Sequence, residues 1–273
     1  MASGGLMAGK RGLIMGVANE RSIAWGIAQS LAEAGAELAF TYQGEAFRKR
    51  VLPLVETLKP AAVLDCDVTD AASLDAVFEE LRILWDGLDF VVHAIAYSDK
   101  EQLKGRYVDT TAENFALTMN VSCYSFTALA KRAEKMMNLG GSLLTLSYYG
   151  AEKVMPHYNV MGVAKAALEA SVRYLSEDLG KRAIRVNAIS AGPIKTLAAA
   201  GVADFRYILK WNELNSPLRR TVSTIEVGNA ALFLLSDLGK AVTGEVLHVD
   251  AGYHIVGMKA EDAPDIAVNK NEA

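Results

Sequence analysis

Short apolar runs and helix-spaced apolar residues alternate along this chain. Leu13 to Met15 form a run that ends at Gly16. Beyond it Ile23, Ile27 and Leu31 recur every four residues, which lays them on one helical face. Gly35 then stands where a helix commonly stops. The alternation continues, predicting strands at 13–15, 38–42, 62–64, 88–96, 141–147, 184–189 and Val246–Val249, and helices at 45–58, 73–84, 112–137, 158–179 and 226–235. The strands are apolar nearly throughout. Both of their faces are therefore expected to be covered, as in a parallel sheet flanked by helices.

Right-handed crossovers turn this pattern into an α/β fold, a single-domain Rossmann-type doubly wound sheet of about seven parallel strands. With 273 residues and 51% hydrophobic content, the chain has enough apolar material for one such core. The expected domain covers residues 1–257. Residues 258–273 are polar, contain Pro264 and are predicted to be disordered. A formal net charge of −4 argues against a dominant nucleic-acid surface. No apolar run reaches membrane-spanning length, and residues 1–10 lack the apolar stretch of a signal peptide, so a cytoplasmic protein without a transmembrane segment is expected. Cys66 and Cys123 read as reduced core thiols, and no cluster has metal-ligand spacing.

Ligands of doubly wound sheets bind beyond the carboxyl ends of the strands. The first turn reads Gly16-Val-Ala-Asn-Glu-Arg-Ser22-Ile23 and keeps only one glycine of the dinucleotide fingerprint. Gly16 permits a tight turn. Ser22 sits where an N-cap belongs, and its hydroxyl with the following amides suits a pyrophosphate at the helix end; read alone, it is equally an ordinary cap. Gly26 is expected to let this helix pack closely on the sheet. At the second strand end, Gln43 can hydrogen-bond ribose hydroxyls. Glu45 beside it disfavours a 2′-phosphate, although Arg48, Lys49 and Arg50 lie near, so NADH is expected over NADPH. Asp67 and Val68, at the third strand end, suit the exocyclic amine and ring of adenine; Asp67 is nearly as well explained as a cap of the next turn.

Tyr158-Asn-Val-Met-Gly-Val-Ala-Lys165 is the most informative stretch. Residues seven apart are separated by two helical turns, share a face, and lie about 10 Å apart along the axis. A phenol at a strand–helix junction can donate to an oxygen gaining negative charge, and a lysine on the same face can hold ribose hydroxyls. Without the surrounding pattern the pair would read as a surface tyrosine and an ordinary helix lysine.

The order of nucleotide turn, Asp-Val strand end, Tyr/Lys helix, Arg185-Val-Asn-Ala-Ile and Pro-Gly-type loop resembles the short-chain dehydrogenase/reductase superfamily. More narrowly, Gly16-Val-Ala, Ser22-Ile-Ala-Trp-Gly-Ile-Ala, Phe40-Thr-Tyr-Gln43, Ser147-Tyr148, Tyr158 to Lys165, and Ser190-Ala-Gly-Pro-Ile194-Lys-Thr196-Leu are similar to the bacterial enoyl-acyl-carrier-protein reductases of type II fatty acid synthesis. That resemblance implies NADH-dependent reduction of the trans-2 double bond of an enoyl thioester carried on acyl carrier protein. It makes Tyr158 the catalytic tyrosine, Lys165 the ribose lysine and Tyr148 a second active-site tyrosine. It implies an NADH site at Gly16, Ser22, Ile23, Gln43, Asp67, Val68, Ile95, Lys165, Ile194, Lys195, Thr196, Leu197 and Ala198, and substrate contact at Ser98, Tyr148 and Tyr158. Ala94-Ile95-Ala96-Tyr97 departs from the family's Ser-Ile-Gly-Phe and adds a hydroxyl near the substrate mouth.

The resemblance also implies a homotetramer, consistent with the apolar run Val246–Val249 and its extension Gly252-Tyr253-His254-Ile255-Val256, which need cover at a sheet edge. Residues 196–211 combine small residues with Phe205, Tyr207, Ile208 and Trp211 and read as a substrate flap, or as an ordinary surface helix. Two other functions compete. A ketoreductase of the same superfamily would carry its lysine four after the tyrosine, where Gly162 stands; a regulator that senses NADH without turnover is opposed by the intact Tyr158/Lys165 pair.

Overall fold

Strands whose side chains are apolar on both faces can hide them only between two layers of helices. The computed structural model, which describes residues 5–266, shows that arrangement. One seven-stranded parallel sheet has the order β3-β2-β1-β4-β5-β6-β7. Its strands are β1 (Arg11–Met15), β2 (Glu37–Tyr42), β3 (Ala62–Asp65), β4 (Leu88–His93), β5 (Met137–Ser147), β6 (Arg185–Ala191) and β7 (Val246–Val249). The helices are α1 (Ile23–Glu33), α2 (Gly44–Val55), α3 (Ala71–Leu84), the one-turn α4 (Lys100–Leu103), α5 (Ala112–Met119), α6 (Ser125–Ala133), α7 (Asn159–Gly180), α8 (Phe205–Asn215) and α9 (Thr224–Leu235). Alternate strand residues feed two cores. Leu13, Met15, Val91, Leu143 and Val186 face α3, α6 and α7. Ile14, Phe40, Val92, Leu144 and Ile189 face α1 and α9. Strand order reverses between β1 and β4, and the crevice at their carboxyl ends is the expected ligand position.

Four local expectations are corrected. β4 ends at His93, not residue 96: Ala94 N still bonds Met15 O, but the chain then leaves the sheet, and Tyr97 N and O both bond the Ser122 hydroxyl. The helix predicted at 112–137 is broken into α5, a π-helical turn at Asn120–Tyr124, and α6 ending at Ala133. The predicted last residue of that helix, Met137, instead begins β5, where it pairs with Leu88 before a register shift to Ser142 opposite Phe90. Ser22 does stand at the N-cap of α1, but its side chain makes no cap bond; Oγ instead accepts from the amides of Ala18 and Asn19, at 2.9 and 3.1 Å. Gly26 faces α9 rather than the sheet. A Cβ there would lie 2.4 Å from the Thr224 carbonyl oxygen, and one at Gly228 would lie 2.5 Å from the Gly26 carbonyl oxygen.

β7 lies at the sheet edge and its side chains are half-buried. In the segment expected to be disordered, residues 258–266 contact the body: Ala260 N bonds Asn215 Oδ1, Arg219 pairs with Asp262 at 2.9 Å, and Ala263 is buried. The remainder of that segment, 267–273, lies outside the described residues.

The glycine contact between α1 and α9 is testable. Gly26→Ala gains roughly 1 kcal/mol of helix propensity, but it presses a methyl against backbone that has nowhere to move, an overpacking that typically costs about 1–3 kcal/mol. A net loss measured by urea unfolding is expected. Gly180→Ala, at the end of α7 with open space around it, is expected to be neutral or slightly stabilising.

Candidate active site

The crevice opens where β1 turns away from β4. Gly16 adopts φ +102°, and a Cβ there would lie 2.1 Å from the Ala94 carbonyl oxygen, so only glycine allows both the turn and the approach. Ser22 is buried and ties the turn together from below, as described above. Its hydroxyl is thereby spent on upstream amides. The N-terminus of α1, with no side-chain cap, faces the turn and suits a diphosphate. Ile23 follows at the first helical position, half-buried on the core.

The ends of β2 and β3 meet beside this turn. Asp67 Oδ1 accepts from Thr69 N and Oγ1 at 2.8 and 2.7 Å, and these bonds, with a further one from Gln43, hold the carboxyl below its usual range. The cap reading of Asp67 is thus realised, and its partner Gln43 is the very residue singled out for ribose. Glu45 faces Arg48 at 3.5 Å and Lys49 at 4.0 Å, which partly neutralises the cations nearest β2. Val68 and Ile95 pack half-buried on the core beneath the crevice.

Beyond Ile95, Ser98 is held by side chains rather than by the sheet. Its Oγ lies 2.9 Å from Thr118 Oγ1 and 3.2 Å from Asn114 Nδ2, and both partners are buried. Tyr97 is exposed at the rim while its backbone is locked to Ser122. The loop after β4 therefore rests on α5 and the π turn.

Tyr158 caps α7, and the residues on either side of it, His157 (φ 55°) and Asn159 (φ 39°), are left-handed. Such backbone is costly in non-glycine residues and needs anchoring. Asn159 Nδ2 supplies it, donating to the carbonyls of Leu103 and Gly105 at 3.0 and 3.3 Å. The Tyr158 ring stands edge-on to Tyr148, centroids 5.0 Å apart. Gly150 makes room for it, since a Cβ there would lie 2.4 Å from the Tyr158 ring. Among the described residues, the buried Tyr148 hydroxyl finds no hydrogen-bond partner. Burial pushes both phenols well above the usual range, so each is a proton-bearing donor at any working pH. Two turns on, Lys165 is 6% exposed and donates to the Leu146 carbonyl at 2.8 Å; burial brings its pKa down to about 8.

The segment after β6 lies alongside. Ile194 packs half-buried, Lys195, Leu197 and Ala198 are exposed, and Thr196 Oγ1 accepts from Ala199 N at 3.1 Å. The second half of the expected flap is α8, with Ile208 buried, Tyr207 against Trp211, and Trp211 Nε1 bonded to Tyr253 OH at 2.9 Å. His157 Nε2 reaches Asp204 at 3.1 Å, joining the turn before Tyr158 to the start of α8.

The structure brings the sequence-selected residues to one end of the sheet: Gly16, Ser22 and Ile23 after β1, Gln43 after β2, Asp67 and Val68 after β3, Ile95 and Ser98 after β4, Tyr148 after β5, Tyr158 and Lys165 on α7, and Ile194 to Ala198 after β6. The sequence reading quoted Ser147 only as part of the Ser147-Tyr148 motif, without a role, and missed Glu169, Asn114, Thr118 and Ser122. Glu169 alone carried a signal, standing four residues past Lys165 and so on its face.

Comparison with known proteins bears on this geometry. The enoyl-(acyl carrier protein) reductase family profile matches residues 16–254. The chain is 71% identical over 267 residues to the enoyl-(acyl-carrier-protein) reductase (NADH) 1 of Rhizobium meliloti, covering 98% of both, and 62% identical over 263 residues to the enzyme numbered 2 of the same organism, covering 96% of this chain and 98% of that one. A crystal structure of the reductase from Anaplasma phagocytophilum in complex with NAD is 61% identical and superposes with a TM-score of 0.92 over 97% of this chain and all of that one.

One buried group beneath the crevice sets a pH dependence. His93 is 1% exposed, with Nδ1 3.0 Å from Thr145 Oγ1 and Nε2 2.8 Å from Ser125 Oγ. Burial, helped by the charge of Lys165, depresses its pKa to about 3. The unfolded ring takes up a proton near pH ~6.5. Between these values the unfolded state binds more protons, so stability falls as pH drops, by up to roughly 1.4 kcal/mol per unit. His93→Gln, which keeps a neutral donor and acceptor, is expected to flatten that dependence in urea unfolding at pH values of about 7, 6 and 5. Parallel curves for the two proteins would contradict it.

Proposed function

The chain belongs to the enoyl-(acyl carrier protein) reductase family, and from that membership we infer how its crevice works. The reaction is NADH-dependent reduction of the trans-2 double bond of an enoyl thioester, a step of fatty acid synthesis. The observation that carries the site assignment is the edge-to-face pair Tyr148–Tyr158, one hydroxyl buried without a partner among the described residues, with Lys165 two turns along the same helix.

The residues present fit a dinucleotide. A glycine cradle that a Cβ would fill, an uncapped helix N-terminus beside it and a buried lysine are the donors a diphosphate and a ribose require. In this proposal Gly16, Ser22 and Ile23 border the diphosphate, Gln43 meets the adenosine ribose, and Asp67 and Val68 frame the adenine. Ile95, Lys165, Ile194, Lys195, Thr196, Leu197 and Ala198 border the nicotinamide half, with Lys165 on its ribose. Bound NADH supplies the hydride received by the substrate's β-carbon.

As that carbon gains its new C–H bond, the π electrons shift to the thioester oxygen and an enolate forms. Tyr158 is the donor to that oxygen, and its raised pKa keeps the proton shared rather than lost. Tyr148 orients the thioester, and the backbone at Ser98 borders it. Net uptake of one proton from solvent at the α-carbon completes the saturated product. Residues 196–211 serve as a flap over the acyl chain, closing a catalytic domain that runs to 257 and against which residues 258–266 also pack, and excluding water from the enolate. Acyl carrier protein delivers the chain, in the cytoplasm; among the described residues no helix is long and apolar enough to cross a membrane. A homotetramer is part of the same reading. Exposed Phe115, Tyr124 and Tyr174 on α5, the π turn and α7, and the open edge of β7, are surfaces that copies of the chain would cover.

Three outcomes are expected. NADH oxidation followed at its absorbance band should depend on a crotonyl thioester and not on an acetoacetyl thioester. Tyr158→Phe should lower kcat by roughly 10²–10³-fold while NADH binding stays close to wild type; undiminished turnover would remove Tyr158 from its role. Light scattering should give four times the chain mass, and a monomer mass at micromolar concentration would end the tetramer proposal.

A further inference from the structure

Lys165 and Glu169 leave α7 one turn apart on the same face. Both reach the end of β5. The lysine donates to the Leu146 carbonyl at 2.8 Å, and Glu169 Oε1 accepts from Ser147 Oγ. Leu146 and Ser147 are the two residues that precede Tyr148. Both side chains are buried, at 6 and 8% exposure. The mechanism above uses Tyr148, Tyr158 and Lys165 but gives Glu169 nothing to do.

An acid is an expensive way to accept one hydrogen bond in a dry site, where a neutral amide would serve without the cost of burying a charge. The groups around it show what the charge is for. Facing Glu169 are Lys165 and Arg173 on α7, the Tyr158 phenol at the start of that helix, Glu152 in the turn after Tyr149, and His248 on β7. His248 is already engaged, Nε2 to Glu152 Oε1 at 2.6 Å. Facing Lys165 are Glu169, Cys123 of the π turn and His93 of β4. Among the described residues, Glu169 is the carboxylate whose charge acts on Lys165, and it shares the lysine's helical face.

We propose that Glu169 is a positioning residue of the reductase: its bond to Ser147 and its charge one turn from Lys165 fix the strand end that carries Tyr148 and keep Lys165 an ammonium inside a cleft that closure dries. The inference rests on the reductase reading, because the ammonium matters only if it holds the cofactor ribose. Burial pulls the lysine down; Cys123 of the π turn, and after it the Glu169 carboxylate, push it up. Burial also raises the glutamate's own pKa, while the Ser147 hydroxyl stabilises its ionised form. Removing the carboxylate leaves burial unopposed from that side, so the lysine gives up its proton at lower pH.

The test is Glu169→Gln, which keeps length and hydrogen-bonding capacity and removes the charge. The NADH dissociation constant, from quenching of protein fluorescence, and kcat with a crotonyl thioester are measured from about pH 6 to about pH 9.5. Expected is a shift of the alkaline limb of both quantities to lower pH by at least about half a unit, or about threefold in proton affinity, with weakened NADH binding appearing first. A purely structural role would lower activity evenly across pH and leave the limb in place. Should Glu169→Gln fail to fold, the double variant Ser147→Ala/Glu169→Met removes both hydrogen-bond partners, a change that can be nearly neutral for stability, and is expected to show the same shift. Coincident limbs for variant and wild type overturn the inference. Wild-type protein that oxidises no NADH with the crotonyl thioester at any pH overturns the reductase reading instead.

Discussion

Everything at the working end of this molecule depends on how closely β1 lies to β4 and how the chain parts from it there. Gly12 presents its missing side chain to the Phe90 ring, where a Cβ would lie 2.0 Å from a ring carbon, and Gly16 does the same to the Ala94 carbonyl. Two side chains are absent at the switch point, so the strands pair in register from Gly12 opposite Phe90 to Met15 opposite His93 and then diverge. The turn after β1 swings toward α1 and the loop after β4 toward the π turn. The crevice is the space between them, and the buried strands below give it a rigid apolar floor.

Above that floor the site is built from polar groups in a place where polarity is costly. Tyr148, Tyr158, Lys165 and Glu169 are each desolvated, and each shifts in the direction burial dictates: phenols and acid upward, ammonium downward. For the phenols this is useful, since a donor that holds its proton can stabilise an oxygen that gains charge. For the lysine it opposes the charge that the proposed ribose contact would use, while Cys123 and the Glu169 carboxylate push the other way. The left-handed turn around Tyr158, with Asn159 bonded to two carbonyls near α4, belongs to the same design: backbone strain at the chemistry, held by bonds elsewhere.

What the sequence determined by itself was whatever is written in local periodicity. Apolar runs bounded by glycine gave the strand positions and their parallel, two-face burial, because a strand covered on both sides can carry almost nothing else. Tyr158 and Lys165 were legible because a seven-residue spacing on a helix is a statement about one face. The motifs around them matched one family along most of the chain's length.

Only the tertiary structure decided the rest, where a group's partner is distant or its geometry set by a turn. Nothing near Ala94 says that Tyr97 will bond Ser122, twenty-five residues on, and so end β4 early. The stretch from 112 to 137, expected as one helix, hides both the π turn and the start of β5, since the residues around Met137 suit helix and strand alike and pairing with Leu88 makes the choice. Ser22 looks like a helix cap because caps are local, but its oxygen takes the upstream amides that the turn aims at it. Gly26 packs on a helix about two hundred residues away. Glu169 meets Ser147 only because α7 lies along β5, which brings its carboxylate to the strand end that Lys165 also reaches. Local preference fixes what a segment tends to be; which hydrogen-bond donor reaches which acceptor depends on segments that meet only when the chain has folded.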